Sequence, residues 1–364
     1  MRAKGVSGQM VLPFRHRLLC GGDAMRRAVG LSLATILMAA ACGGTGQPAS
    51  APSPSPGASA APPPPVHLEV SYSNIIGDEL PLWATKEGGF FEKNGLDVNL
   101  SNIASAQGIP AVLAGQVTFA QVGGSEVLAA VANGADLVVI GQLAGVYPFV
   151  LEVAADIKTV NDLKGKKIGV SSPGSSSDIA TRVALKKMGL DPDKDVSIQA
   201  VGSAANRTAA LLSGAIQGGV SQPPDSLTLE AKGFHVLYDL ASQKLPSANT
   251  SVAVRRSYIT SSKDVVQRYV DSIVQGTKRL KSDKAFGVGV LKKYFNSTDD
   301  AAMSTTYDFY ALTVAPSQPF AKPEMYVDAQ ATLGASDAKV KAFDISKLLD
   351  ATFVQSAIDR GLDK

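Results

Sequence analysis

The sequence predicts an α/β protein with two lobes, and three observations carry that expectation. From residue 66 onward, strand-like and helix-like runs alternate, as they do where crossover helices join parallel strands. The alternation falls into two series, followed by a helical last third. The chain has 364 residues and is 45% apolar, enough to fill a core in each of two units.

The elements follow in order. Residues 67–71 read as a strand and 81–87 as a short helix, with Pro81 in its first turn and Gly88 and Gly89 ending it. Strands follow at 96–100, 117–122 and 137–141, with helices at 110–114 and 125–132 between them. The second series places strands at 167–171, 196–200, 218–221 and 235–240, and helices at 176–188, 207–212 and 227–232. Both series are expected to form parallel sheet. One more strand at 250–255 marks the return to the first lobe. Beyond it, Val266, Tyr269, Val270, Ile273, Thr277 and Leu280 recur at helical spacing and predict one buried face. Further helices are expected at 285–295, 299–311, 323–333 and 346–359.

A leader precedes these elements. Arg26 and Arg27 open onto an uncharged apolar run, 28–41, that ends at Cys42. A basic start, an apolar run of roughly 7–15 residues and small residues before the break make an export signal. The run is too short to span a membrane, which takes about 20 apolar residues. Residues 1–24 do not fit the pattern, so Met25 reads as the natural start, 1–24 as an over-extended N-terminus and 25–42 as signal peptide. Residues 43–65 carry no charge and contain 12 Pro or Gly. Such a stretch cannot bury apolar surface to offset its ordering entropy and is expected to be an unfolded tether. At about 3.1 Å per residue in polyproline form, it reaches at most roughly 70 Å.

Composition excludes several kinds of function. The chain has 35 basic and 32 acidic residues, a net of +3. Residues 1–42 hold six of the basic and one of the acidic residues, which leaves 29 against 31, or −2, for the rest. No polybasic stretch remains to bind nucleic acid or an anionic membrane surface. Both cysteines, Cys20 and Cys42, precede the predicted elements. The exported part therefore offers no internal disulfide, thiolate metal site or cysteine nucleophile. Of its two histidines, His67 and His235, the latter sits in an apolar strand and reads as core. P-loop, HExxH and GxSxG patterns are missing, and Ser336 with Lys339 matches SxxK without its companion motifs. No catalytic residue, metal or cofactor is expected.

Candidate ligand contacts sit in small polar loops after strands, the edge of an open α/β sheet where crevices form. The strongest is 171–178. Ser172, Ser175, Ser176 and Ser177 lead into a helix, whose first N–H groups and partial positive charge suit an anion, with hydroxyls as added donors. Ordinary capping by Ser177 or Asp178 is the alternative. Gly123, Gly124 and Ser125 repeat the arrangement after another strand, where the glycines also suit a plain turn. Arg207, beside Asn206 at a predicted helix start, either offers its planar fork to an anion or stands solvated on the surface. Trp83 and Tyr147 are aromatic walls for a ligand or part of a core.

Several stretches together resemble a known family. Residues 81–98, PLWATKEGGFFEKNGLDV, resemble the opening of solute-binding proteins that serve ABC importers of the nitrate/taurine/sulfonate type, a group that includes pyrimidine-precursor binders. Residues 162–170 (DLKGKKIGV), 123–134, 207–216 and 349–354 (LDATFV) are similar to further segments of that family. The resemblance runs from about residue 68 to 362. It implies a type II periplasmic-binding-protein fold: two α/β lobes joined by hinge crossings near 146–156 and 243–252, with ligand closing between them. Lobe 1 then comprises 66–150 plus 246–364, and lobe 2 comprises 151–245. By position, the family's pocket maps onto Ser73, Asn74, 123–125, 172–177, Gln222 and Pro223, with Tyr147 near the first hinge. Many relatives carry Asp after the lobe-one glycine; here Gly124 and Ser125 remove that charge. Residues 38–42 resemble a lipoprotein box with Cys42 as the lipidated residue, although Ala39 stands where the pattern prefers Leu.

These readings imply an extracytoplasmic lipoprotein, held on the cell membrane through Cys42 and working as a monomer. It captures a small anionic organic solute, such as a sulfonate, carboxylate or nitrate-like species, and delivers it to an ABC permease with its ATPase. A pyrimidine precursor of the thiamine pathway is the alternative cargo, and a sensory binding module the alternative role. An enzyme is not expected. The branch of this fold that makes a thiamine-pyrimidine precursor depends on a cysteine-rich motif and an active-site histidine, and the predicted loops hold neither.

Overall fold

The computed structural model describes residues 64–364, so the expected signal peptide, Cys42 and all but the last two residues of the expected tether lie outside the described residues. Among the described residues, ten strands form two five-stranded sheets. The first contains β1 (Val66–Tyr72), β2 (Leu96–Asn102), β3 (Phe119–Val122) and β4 (Val138–Val146). The second contains β5 (Val150–Val153), β6 (Lys167–Val170), β7 (Ser197–Ala200), β8 (Gly218–Ser221) and β9 (His235–Asp239), after which β10 (Pro246–Val254) returns to the first.

The strand orders, β2-β1-β3-β10-β4 and β7-β6-β8-β5-β9, follow one plan. Three parallel strands come first, and an antiparallel strand then separates them from the edge strand. The sheets are therefore mixed, not parallel as expected. In each sheet the reversed strand is the first one the chain forms after crossing from the other sheet, and it enters running the opposite way.

The crossings occupy residues 147–149 and 240–245. They are tied together: the Tyr147 N–H donates to the Leu245 carbonyl at 3.3 Å, and the Leu240 and Ala241 N–H groups donate to Phe149 O at 3.1 and 3.0 Å. The second crossing ends earlier than expected, because residues from Pro246 onward already pair with β4, as in Pro246↔Val146 and Thr250↔Ala144.

One strand, β5, was not anticipated. Its four residues include Glu152, which is as fully buried as Leu151 and Val153 beside it. A carboxylate inside so short a run hides the apolar signal a strand normally gives. The helix Ser105–Leu113 also starts earlier than expected, because Pro110 lies inside it and not at its first turn.

Two large apolar cores hold the lobes. The first lies between the first sheet and the C-terminal helices. The helix Lys263–Ser282 turns Val266, Tyr269, Val270, Ile273, Thr277 and Leu280 inward, all buried, and Tyr269 stacks on Phe119 with ring centroids 3.9 Å apart. The second core joins Val127 and Val139 to Leu151, Ile168 and Val220 through Tyr147 and Phe149 of the first crossing. At roughly 1.5–3 kcal/mol for each large side chain buried, these cores fix where the strand ends point. Among the described residues, no helix is long and apolar enough to cross a membrane.

Candidate ligand-binding site

Four parallel strands, two from each sheet, deliver their carboxyl ends to one place. Ser73 and Asn74 follow β1, Gly123 follows β3, Ser171 follows β6 and Gln222 follows β8. With Asn249 and Thr250 of β10, Phe149 of the first crossing, Ser175–Ser177 and Arg207, they line a cavity of about 40 Å³. One buried water needs roughly 10–15 Å³ on this measure, so the space takes a few waters or one compact head group.

Arg207 is the main charge there. It is 3% exposed, which overturns the solvated alternative. The glycines of two neighbouring strands explain how it gets inside. A Cβ on Gly219 of β8 would stand 3.2 Å from Arg207 Cγ and Cδ, and one on Gly169 of β6 would stand 3.5 Å from Cγ. The stem lies flat across both strands because neither carries a side chain. Nε donates to the Val220 carbonyl at 2.6 Å and Nη1 to Ser171 Oγ at 3.1 Å, while Nη2 donates to none of the described residues. Burial pulls the guanidinium down to about 10, and Asp225 acts on it only at longer range. Arg207 stays charged at neutral pH with no ion-pair partner among the described residues.

The serine loop is built differently from its expectation. Ser175, not Ser177 or Asp178, caps the helix Ser176–Lys187. The Ser175 hydroxyl donates to Ser172 O at 2.8 Å, and Ser177 Oγ accepts the Ser171 N–H at 2.9 Å. Asp178 accepts the Gly174 N–H and pairs with Arg182 Nε at 2.8 Å. Most hydroxyls thus hold the loop's own backbone, and the helix start itself is what faces the cavity. Ser176 Oγ reaches across the lobes to Asn249 O at 2.9 Å. Gly123 allows this approach, since a Cβ there would lie 2.7 Å from Ser176 Oγ.

A family model described as NMT1/THI5 like matches residues 77–284, more than half of the chain. The chain belongs to the NMT1/THI5-like family. YtlA of Bacillus subtilis, named as a candidate binding protein, is 23% identical over 237 residues, which cover 63% of this chain and 71% of YtlA. Among solved structures, the alkanesulfonate-binding protein SsuA from Xanthomonas axonopodis pv. citri, bound to MOPS, aligns with TM-score 0.62 and 22% identity over 81% of this chain and 98% of that one. The periplasmic nitrate-binding protein NrtA from Synechocystis PCC 6803 aligns with TM-score 0.65 and 15% identity over 81% and 89%. These likenesses establish the periplasmic-binding-protein fold, with its two α/β lobes.

In this NMT1/THI5-like chain, residues that the sequence did not single out lie behind the first-lobe wall. Asp78 and Glu79 are 1% and 0% exposed. The Asp78 carboxylate accepts from the Asn249 amide and, at 3.4 Å, from Thr250 Oγ1. Burial pushes Asp78 up to about 7 against these two bonds. Burial and the Asp78 charge push Glu79 well above the usual carboxylate range. Across the cleft, burial pushes Glu152 up to about 7, although the Ser221 hydroxyl donates to it. The adjacent Asp-Glu pair before a helix, and the polar run 247–251 in a central strand, were the available signals. Among the described residues, no group of three or more His, Cys, Asp or Glu is arranged to hold a metal ion.

The structure brings Ser73, Asn74, Ser175, Ser176, Ser177, Arg207 and Gln222 together at the cavity and leaves six candidates off its lining. Trp83 is fully buried in the first core, stacked on Tyr294 at 4.4 Å with Tyr72 edge-on at 5.7 Å. It is no wall of the cleft, because its helix turns that face to the C-terminal helices. Gly124 packs on β10, where a Cβ would meet Ala248 Cβ at 2.4 Å. Ser125 and Tyr147 line a separate void of about 10 Å³ beside Ser247 and Met325. Tyr147 Oη donates to Asp328 Oδ2 at 3.0 Å, so it braces the crossing. Asp328 belongs to the helix Val327–Leu333, which packs on both the Gly124–Ala132 and Ser176–Lys187 helices. Ser172 stands behind Ser175, and Pro223 continues past Gln222 toward the helix Asp225–Ala231.

Proposed function

We propose that this protein captures a small anionic solute between its lobes and passes it to an ABC importer. The observation that carries the reading is Arg207: a buried guanidinium with free donor capacity and no carboxylate in ion-pair range among the described residues. A buried charge needs a counter-charge or full hydrogen bonding. The start of the helix Ser176–Lys187 adds unpaired N–H groups to the same cavity. Capture needs no catalysis: solute held by both lobes favours the closed arrangement by its differential affinity.

The sulfonate- and nitrate-binding relatives support a sulfonate, carboxylate or nitrate-like ligand and an import role. The protein works outside the cytoplasm as a monomer, lipid-anchored at Cys42 and served by a permease and its ATPase. Calorimetry against sulfonates, carboxylates and nitrate tests the ligand class; binding of cationic solutes alone overturns it. Fractionation tests the anchor. Cys42→Ser releases the protein from the membrane fraction, and an unchanged distribution removes the anchor from the reading.

A further inference from the structure

The first lobe carries a second hollow, remote from the cleft. A cavity of about 500 Å³ lies where the helix Phe90–Lys93, the last turns of Lys263–Ser282 and the chain at Leu362 meet. Lys93, Lys278 and Arg279 line it, with Phe90, Asn94 and Leu362 between them, and among the described residues no carboxylate does. The Lys93 ammonium lies over the Phe90 ring at 4.6 Å, and neither it nor Lys278 has an ion-pair partner among the described residues. Arg279 is held by the Phe286 ring, 4.0 Å away, and by Asp283 at 3.7 Å. Cations in the last turn of a helix ordinarily offset its negative end, which carries about half a charge. Even with two such ends and Asp283 counted against them, three cations leave the hollow positive. They come from residues far apart in the chain, so no polybasic stretch announces them. The hollow also sits where the chain enters the domain. Val66, which begins β1, donates its N–H to Gly95 O at 3.0 Å, next to Asn94 of the lining. The expected tether, residues 43–65, therefore joins the domain at the edge of the hollow. The cleft lies past the other end of β1, Tyr72, about 20 Å away at roughly 3.3 Å per residue.

We propose that this hollow seats the phosphate head group of an anionic phospholipid, so that the domain rests on the membrane by the amino end of its first sheet. The phosphate meets Lys93, Lys278 and Arg279 through charge-assisted hydrogen bonds, and Phe90 and Leu362 offer apolar surface to the carbons beside it. A tether joined at the edge of the hollow holds the head groups at high effective concentration. Seated this way, the cleft at the far end of the sheet is open to incoming solute, and the slack of the tether lets the loaded domain turn to a permease. The orientation rests on the tether and Cys42 reading given above; the binding of lipid does not.

The test is co-sedimentation, at low salt, with vesicles of phosphatidylcholine alone or mixed with phosphatidylglycerol. It uses the chain from residue 43, which keeps both lobes and their cores and lacks the leader and Cys42, so that only the domain and its tether meet the lipid. Binding is expected to require phosphatidylglycerol and to weaken as salt rises. Lys93→Gln combined with Lys278→Gln should lower it about twentyfold, at about fivefold for each cation near an anionic surface. Both residues are exposed, so the double variant keeps its fold. Lys186→Gln with Lys187→Gln, the same loss of charge at exposed positions of the second lobe, should leave binding within about twofold. Equal losses in the two double variants, or no loss in the first, overturn the proposal, as does equal binding to both kinds of vesicle. Calorimetric binding of free glycerol 1-phosphate as tight as that of the vesicles also overturns it and makes the hollow a site for a soluble phosphate ester. Loss of the anchor in the fractionation test leaves the vesicle result standing, so the two readings fall separately.

Discussion

The two walls of the cavity share a plan and differ in charge. Each is a parallel strand, a small polar loop and a helix start: β1 leading to the helix Leu80–Glu87, and β6 leading to the helix Ser176–Lys187. The first helix has Glu79 as its N-cap residue with Asp78 before it, both buried, so its positive end meets acids of its own chain. The second is capped by neutral Ser175, and its one early acid, Asp178, pairs with Arg182. Its amide end therefore remains available, and Arg207 adds a full charge beside it. One architecture thus yields an acceptor wall and a donor wall, decided by which residue caps the helix and which acid is neutralised.

The largest effect that separates the walls from the core behind them is expected at Trp83. Trp83→Ala should cost about 3–5 kcal/mol in denaturant unfolding while solute affinity per folded molecule stays unchanged. A loss of affinity in the folded variant would return Trp83 to the site. Next comes Arg207→Ala, which should weaken anion binding by about 2–5 kcal/mol, with Arg207→Lys intermediate because it keeps the charge and loses the fork. Unchanged calorimetric affinity would take the anion off the donor wall.

The acceptor wall is tested by pH. Asp78 has its folded value raised from 3.8 to about 7, so its favourable contribution is whole below about pH 4 and lost as pH rises through 7. Thermal unfolding of the wild type should show stability falling over that window. Asp78→Asn should flatten the fall by on the order of 4 kcal/mol, and an identical slope in the variant would mean that Asp78 is not the group titrating. The smallest effect is expected at the seam. Ser176→Ala removes the 2.9 Å bond to Asn249 O and should cost about 0.5–1.5 kcal/mol in solute affinity, read as a faster release in stopped-flow.

The donor wall was more legible in the sequence than the acceptor wall, for a physical reason. A serine-rich stretch between a strand and a helix announces a cap, and caps are local. Arg207 was ambiguous because its burial depends on Gly169 and Gly219, distant in sequence and joined to it only by the sheet. Asp78, Glu79 and Asn249 were passed over because a carboxylate or amide normally marks exposure, and here tertiary packing encloses them. Glu152 misled in the same way and hid β5. Trp83 was misjudged because an aromatic on a short helix does not say which face the later helices will cover. The order of the other strands and of the longer helices, by contrast, followed from periodicity, and the long face of Lys263–Ser282 was readable residue by residue.

The helix Val327–Leu333 touches a helix of each lobe, and its Asp328 holds the Tyr147 hydroxyl at the first crossing. Swinging the lobes apart about residues 147–149 and 240–245 would slide this helix along the Ser176–Lys187 helix of the other lobe. Opening the cleft would therefore cost helix packing as well as contacts to a solute.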